Sequence, residues 1–186
     1  EIVDEATTLA RAGYVTASIS YRLNPGGCLS GTPNGCLSAM VHAKEDAQAA
    51  VAYLRSEATT YGIDPTRIAI AGTSAGAITA AHVAFSSADS PTTAVRAAVS
   101  LSGAHIIVAP SAGDAPLFLL HGTADGLVPY AWAQNTVAAA TAAGVRAVLT
   151  TWEGGGHVPY LEHRTEILDQ TRNFLYWHMD LANAAR

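Results

Sequence analysis

Charge is scarce in this 186-residue sequence: Asp, Glu, Lys and Arg together make up 13% of it, against 49% apolar residues. Disordered chains show the opposite balance, so a folded chain with much buried surface is expected. The ten Lys and Arg residues form no cluster and the net charge is −5, which argues against a nucleic-acid partner. No apolar run reaches the ~18 residues of a membrane span, so no membrane association is expected. The opening Glu1-Ile-Val-Asp4 is neither basic nor a signal-peptide core, so any targeting segment is expected to be missing from this chain. No repeat, low-complexity tract or linker divides the sequence, and its length suits one domain, residues 1–186, with a full core.

Cysteine is equally sparse. Cys28 and Cys36 are the two, and they lie in a segment rich in Gly, Pro, Asn and Ser. No further Cys or His nearby completes a zinc site. Two free thiols of a cytosolic protein are one reading; a disulfide across the loop is the favoured one, pinning it by about 2–3 kcal/mol in the chain-entropy account. A disulfide places the chain in a secreted or periplasmic setting.

What is present alternates between helix and strand. Ile2 to Ala12 reads as a helix stopped by Gly13, and Tyr14 to Tyr21 as a β-branched and aromatic strand. Ser38 to Tyr61 reads as a long helix ended by Gly62. Ile68 to Ala71 is a short apolar strand, followed by a helix from Ala77. Strands are expected at Val95 to Leu101, Leu117 to Leu120 and Val145 to Trp152, and helices at Ala131 to Ala143 and Leu161 to about Leu181. Strands separated by helices of ten or more residues form parallel sheets with right-handed crossovers. The expected fold is therefore α/β, a three-layer sandwich around a mostly parallel, doubly wound sheet of about five strands.

The organising stretch is Gly72-Thr-Ser-Ala-Gly76, set between strand and helix. G-x-S-x-G in that setting is a nucleophile elbow, whose sharp turn exposes the serine hydroxyl. Side chains two positions either side of Ser74 would collide, so Gly72 and Gly76 are expected to be glycine for steric reasons. The Ala75 N–H, at the start of the helix, faces developing negative charge as an oxyanion donor.

An elbow serine needs a base, and the base an orienting carboxylate. In a parallel α/β sheet both belong in loops beyond the carboxyl ends of later strands. The loop after Leu117 to Leu120 offers Asp125, and the loop after Val145 to Trp152 offers His157. Singly, Asp125 is also an ordinary turn residue and His157 an ordinary loop histidine. In the order Ser, Asp, His at three strand ends, they make a catalytic triad. Asp114 lies at the wrong end of its strand, His82 belongs to helix packing, and His121 braces the acid loop. Glu153 is the one serious alternative near the base.

Gly72-Thr-Ser-Ala-Gly76, His121-Gly-Thr-Ala-Asp125 and Gly155-Gly-His157 resemble the serine-esterase branch of the α/β-hydrolase superfamily. Tyr21-Arg-Leu23, Asp46 and Asp64-Pro-Thr-Arg-Ile68 are similar to its carboxylesterase, feruloyl-esterase and prolyl-oligopeptidase-like members. The likeness spans essentially the whole chain. It implies Ser74 as nucleophile, His157 as general base and then acid, and Asp125 as its orienter. Val128, Trp132 and Val158 flank the acid and base as candidate pocket residues, with Trp132 equally readable as a core-facing helix residue. Arg22 and Asp46 fit a structural pair better than a catalytic one.

One departure stands out. In the family the second oxyanion donor comes from a loop after an earlier strand, commonly His-Gly-Gly-like, and no such motif precedes Ile2 here. The chain is thus expected to lack the family's N-terminal strands, as a fragment or a minimal form, with Tyr14 to Tyr21 at an exposed edge open to pairing or aggregation. Loss of one oxyanion donor typically costs ~10²–10³ in kcat. The leading function is cleavage of small-molecule or polymer-borne carboxylic esters through an acyl-enzyme, without metal or organic cofactor. A prolyl-oligopeptidase-like peptidase is the alternative enzyme, and a non-catalytic hydrolase-like binding protein the alternative from another class.

Overall fold

The computed structural model describes residues 1–28 and 31–183. Four strands, β1 (Ala69–Thr73), β2 (Ala97–Leu101), β3 (Leu117–Gly122) and β4 (Ala147–Trp152), form one sheet in sequence order, every pair parallel. The register aligns the carboxyl ends: Thr73 opposes Leu101, and Gly122 opposes Trp152. β2 and β3 are buried along their whole length, which is why both read as unbroken apolar runs rather than alternating ones.

Helices cover both faces, giving three layers. They are α1 (Ile2–Arg11), α2 (Pro33–Ser56), α3 (Ala58–Tyr61), α4 (Ala75–Ala84), α5 (Tyr130–Ala142) and α6 (Tyr160–His178). One face carries a core in which Ala47 and Val51 of α2, Ala81 and Val83 of α4, and Ala133 and Ala140 of α5 meet Leu117 and Leu119. On the other face Phe118, Leu120 and Trp152 meet Ile167 and Leu175 of α6. Phe118 and Phe174 stack there with centroids 5.3 Å apart. Each fully buried leucine contributes about 1.5–3 kcal/mol. α4 packs across β1 and β2 because its inner face is alanine: Ala77, Ala80, Ala81 and Ala84 are wholly buried and let the backbones approach. No helix among the described residues is long and apolar enough to cross a membrane.

Most element boundaries shift by one to three residues, the long helix expected to Tyr61 breaks at Glu57 into α2 and α3, and two larger differences stand out. α2 begins at Pro33 rather than Ser38, because Thr32 caps it (Oγ1 accepts the Gly35 N–H at 3.1 Å) and Pro33 suits the first helical position. A disulfide joins Cys28 to Cys36, tying the preceding loop to the first turn of α2.

The second difference is a correction to the strand count, four rather than about five. The expected strand at Tyr14 to Tyr21 is not one: among the described residues it has no ladder partner. Its composition favours an extended backbone, but a strand also needs a neighbour within hydrogen-bonding distance. Here cavities of about 400 and 350 Å3 separate it from β1. Ala17, Ile19 and Tyr21 line the first together with Ile68, Ile70 and Gly72, and Val15 and Ala69 both line the second. The segment is fixed at its end instead. Arg22 Nε sits 2.9 and 3.0 Å from the two Asp46 oxygens, its Nη2 lies 2.9 Å from Glu45, and its backbone N–H donates to Asp46 at 2.7 Å. Arg22 and Asp46 therefore form the structural pair expected of them.

Candidate active site

Ser74 follows β1 directly and is the N-cap of α4, with φ 54° and ψ −118°. A non-glycine residue rarely adopts positive φ and is strained there. The turn is held by the Ser74 N–H, which donates to the Leu101 carbonyl at 2.9 Å, and by the Ser74 carbonyl, which accepts from Ile78 at 3.0 Å. Gly72 behaves as expected: a Cβ there would run into the Gly76 backbone. Gly76 does not, since a Cβ there meets nothing within 4 Å, and Gly76 lines the cavity beside β1. The crowding at the elbow is one-sided.

Asp125 and His157 come to this hydroxyl from the loops after β3 and β4. His157 Nε2 lies 2.8 Å from Ser74 Oγ, and His157 Nδ1 lies 2.8 Å from Asp125 Oδ2. The Asp125 side chain is fully buried, and its Oδ1 accepts the N–H groups of Leu127 and Val128, each at 2.9 Å. Burial disfavours the ionised carboxyl, but the hydrogen bonds from His157, Val128 and Leu127 outweigh it, and its pKa lies below the ordinary value. An ionised Asp125 selects the His157 tautomer with the proton on Nδ1, leaving the Nε2 lone pair directed at the Ser74 hydroxyl.

A second histidine supports the carboxylate from behind. His121 is completely buried, with Nε2 2.9 Å from the Val128 carbonyl and 3.2 Å from Asp125 Oδ2. Both are acceptors, so Nε2 carries the proton and the ring braces the acid loop, as the sequence suggested. The loops after β3 and β4 are also laced together. Gly154 donates to Thr123 Oγ1 at 2.8 Å, Ala124 donates to the Gly155 carbonyl at 2.9 Å, and a Cβ on Gly122 would strike the Gly155 backbone.

The competing residues have other work. Asp114 accepts from the backbone N–H groups of Ala88 and Ser111 and from the Ser111 hydroxyl. His82 is buried and accepts the Ile106 and Ile107 N–H groups on Nε2 at 3.0 and 3.2 Å. Burial foremost, with His105 and Lys44 nearby, lowers its pKa to about 4. Glu153 is exposed, and His157 Nδ1 turns to Asp125. Of the candidate pocket residues, Val128 is a buried member of the acid loop, Val158 is partly buried beside His157, and Trp132 is 44% exposed on α5, outside the core. The Ala75 N–H sits in the first turn of α4, where no intrahelical acceptor exists. Sequence reading missed Ser102, whose Oγ accepts the Val158 N–H at 2.9 Å. Its signal is a left-handed backbone that only the tertiary structure imposes.

The BD-FAE family model matches residues 2–109, more than half of the chain, and the TAP-like protein model matches residues 85–176. No curated protein matches the sequence. Among solved structures, a truncated carbohydrate esterase from gut microbiota is similar at 21% identity and a TM-score of 0.65, over 75% of this chain and 68% of that one. Apo esterase 2 of Thermogutta terrifontis is similar at 22% identity and a TM-score of 0.65, over 79% and 68%. The same esterase phosphonylated by cyclosarin matches at 23% identity and a TM-score of 0.64, over 73% and 64%. The chain thus spans about two thirds of the length of these esterases, and the likeness extends to the fold.

Proposed function

Since the chain belongs to the BD-FAE family of the α/β-hydrolase superfamily, we propose that it is a serine esterase that cleaves carboxylic esters through an acyl-enzyme. One observation carries the proposal: the unbroken relay from Ser74 Oγ through His157 to the buried Asp125, with both hydrogen bonds at 2.8 Å.

In this mechanism Ser74 Oγ attacks the acyl carbon while its proton passes to His157 Nε2. Asp125 stabilises the imidazolium and keeps its orientation without taking the proton. Charge developing on the carbonyl oxygen meets the Ala75 N–H and the positive end of α4. His157 then protonates the departing alkoxide, which leaves the acyl group on Ser74. Water enters and gives a proton to His157 as it attacks the acyl carbon. The bond from that carbon to Ser74 Oγ then breaks, His157 returns the proton to Oγ, and the acid is released. The steps use groups of this chain, the ester and one water molecule.

Val158 beside His157 and Trp132 and Val128 around the acid loop are proposed to border the substrate. The Thermogutta terrifontis esterase phosphonylated by cyclosarin supports the same chemistry for Ser74, and the gut carbohydrate esterase supports esters carried on sugars. The Cys28–Cys36 disulfide supports an oxidising compartment.

The test is hydrolysis of p-nitrophenyl acetate and butyrate by the chain and by Ser74→Ala, with circular dichroism on both. The proposal expects turnover that disappears in the variant. Equal background rates from two folded samples would refute it.

A further inference from the structure

We infer that Ser102 is a positioning residue for the histidine base, a role that rests on the esterase mechanism proposed here. Ser102 is the first residue beyond β2, is wholly buried, and has φ 56°. Its N–H donates to the Leu120 carbonyl at 2.8 Å, which fixes the turn against the end of β3. The left-handed conformation sends Oγ across the ends of the strands to the base loop, where it accepts the Val158 N–H at 2.9 Å. Val158 follows His157 and is itself at φ 54°.

Two residues in a conformation that side chains disfavour are thus joined by one hydrogen bond beside the base. Such strain persists only where the surroundings enforce it, and it gathers at functional sites. At φ 56° a glycine would be at ease; a serine there supplies the acceptor that glycine lacks. The three residues before His157 are glycines and bring no side chains to the loop. On that side the loop is held through its backbone, by Thr123 Oγ1 and the Ala124 N–H. Ser102 holds the other side. Beyond it the Tyr160 N–H donates to the Val158 carbonyl at 2.7 Å, and the Tyr160 hydroxyl donates to Asp4 at 2.6 Å. Asp125 therefore orients the His157 ring while Ser102 sets the backbone that carries it, and together they place Nε2 at Ser74.

The experiment compares wild type with Ser102→Ala and Ser102→Gly. The glycine variant removes the hydroxyl yet suits the backbone, so it is expected to fold even where the alanine variant does not. Ester kinetics across pH and the rate of labelling by a fluorophosphonate are measured, together with the 15N spectrum of the His157 ring. A base displaced by a fraction of an ångström is expected to lower kcat and the labelling rate by about 10- to 100-fold. KM is expected to stay within about twofold, the acid limb of the pH profile to move, and the His157 ring signals to change. Folded variants with unchanged His157 signals would overturn the role of Ser102, whatever the activity of the wild type. So would a labelling rate and pH profile equal to those of an active wild type. A folded wild type that is never labelled would instead overturn the esterase mechanism.

Discussion

The two sides of the Ser74 elbow are built to different degrees. Toward β2, β3 and β4 every functional group has a second support: Asp125 is held by two backbone N–H groups and backed by His121, and the base loop is tied to Thr123, Ala124 and Ser102. Toward the free edge of β1, Gly76 and Thr73 border a cavity of about 400 Å3, and residues 14–21 run past without pairing. In the proposed mechanism proton transfer depends on the first side, where groups must stay within a fraction of an ångström of one another. Oxyanion stabilisation, in the same mechanism, falls to the Ala75 N–H at the start of α4, the donor proposed. The difference sets a braced hydrogen-bond relay against an open, unpaired edge on opposite sides of one turn.

The largest effect should come from breaking the rigid side at its carboxylate. Asp125→Asn keeps the shape but favours the wrong His157 tautomer, and kcat for a p-nitrophenyl ester is expected to fall about 10⁴-fold with little change in KM. The two elbow glycines sharpen the contrast directly. Gly72→Ala drives a methyl group into the Gly76 backbone and is expected to lose about 3 kcal/mol or more in urea unfolding. Gly76→Ala has open space, and should leave stability within about 1 kcal/mol of wild type, or raise it, because alanine suits the helix better.

Smaller effects are expected on the open side. Replacing Cys28 and Cys36 together by serine releases the loop that leads into α2, and should cost about 2–3 kcal/mol, with reduction of the wild type giving the same shift. Glu5 lines the 350 Å3 cavity, and its pKa is raised from 4.5 to about 7, first by burial and then by the nearby Glu1 charge. Between those values the folded chain keeps a proton that the unfolded chain has released. The penalty is therefore absent below about pH 4.5, grows as pH rises, and is complete above about pH 7. Glu5→Gln should raise Tm by about 2–4 °C at pH 8 and leave it unchanged at pH 4, as measured by thermal melts in the two buffers.

The rigid side was the legible one. Its strands are apolar runs, its helices are spaced between them, and its candidate residues fall just after strand ends, so local sequence and sheet topology together bring Ser74, Asp125 and His157 to one place. Elements that depend on a neighbour were not legible. Tyr14 to Tyr21 has the composition of a strand, yet pairing requires an adjacent edge that composition cannot supply. Gly76 belongs to the same motif as Gly72, but only the direction of each Cα–Cβ bond tells which is crowded. The conformation of Ser102 is dictated by Leu120 on β3, eighteen residues further on, and its partner Val158 lies in the last loop of the site.

The most direct measurement is intact mass and peptide mapping after treatment with a fluorophosphonate, on the folded wild type and on Ser74→Ala. A single adduct on Ser74, absent from the variant, is the result predicted for a serine activated by His157. A folded wild type without an adduct, or one whose labelling survives Ser74→Ala, would contradict it.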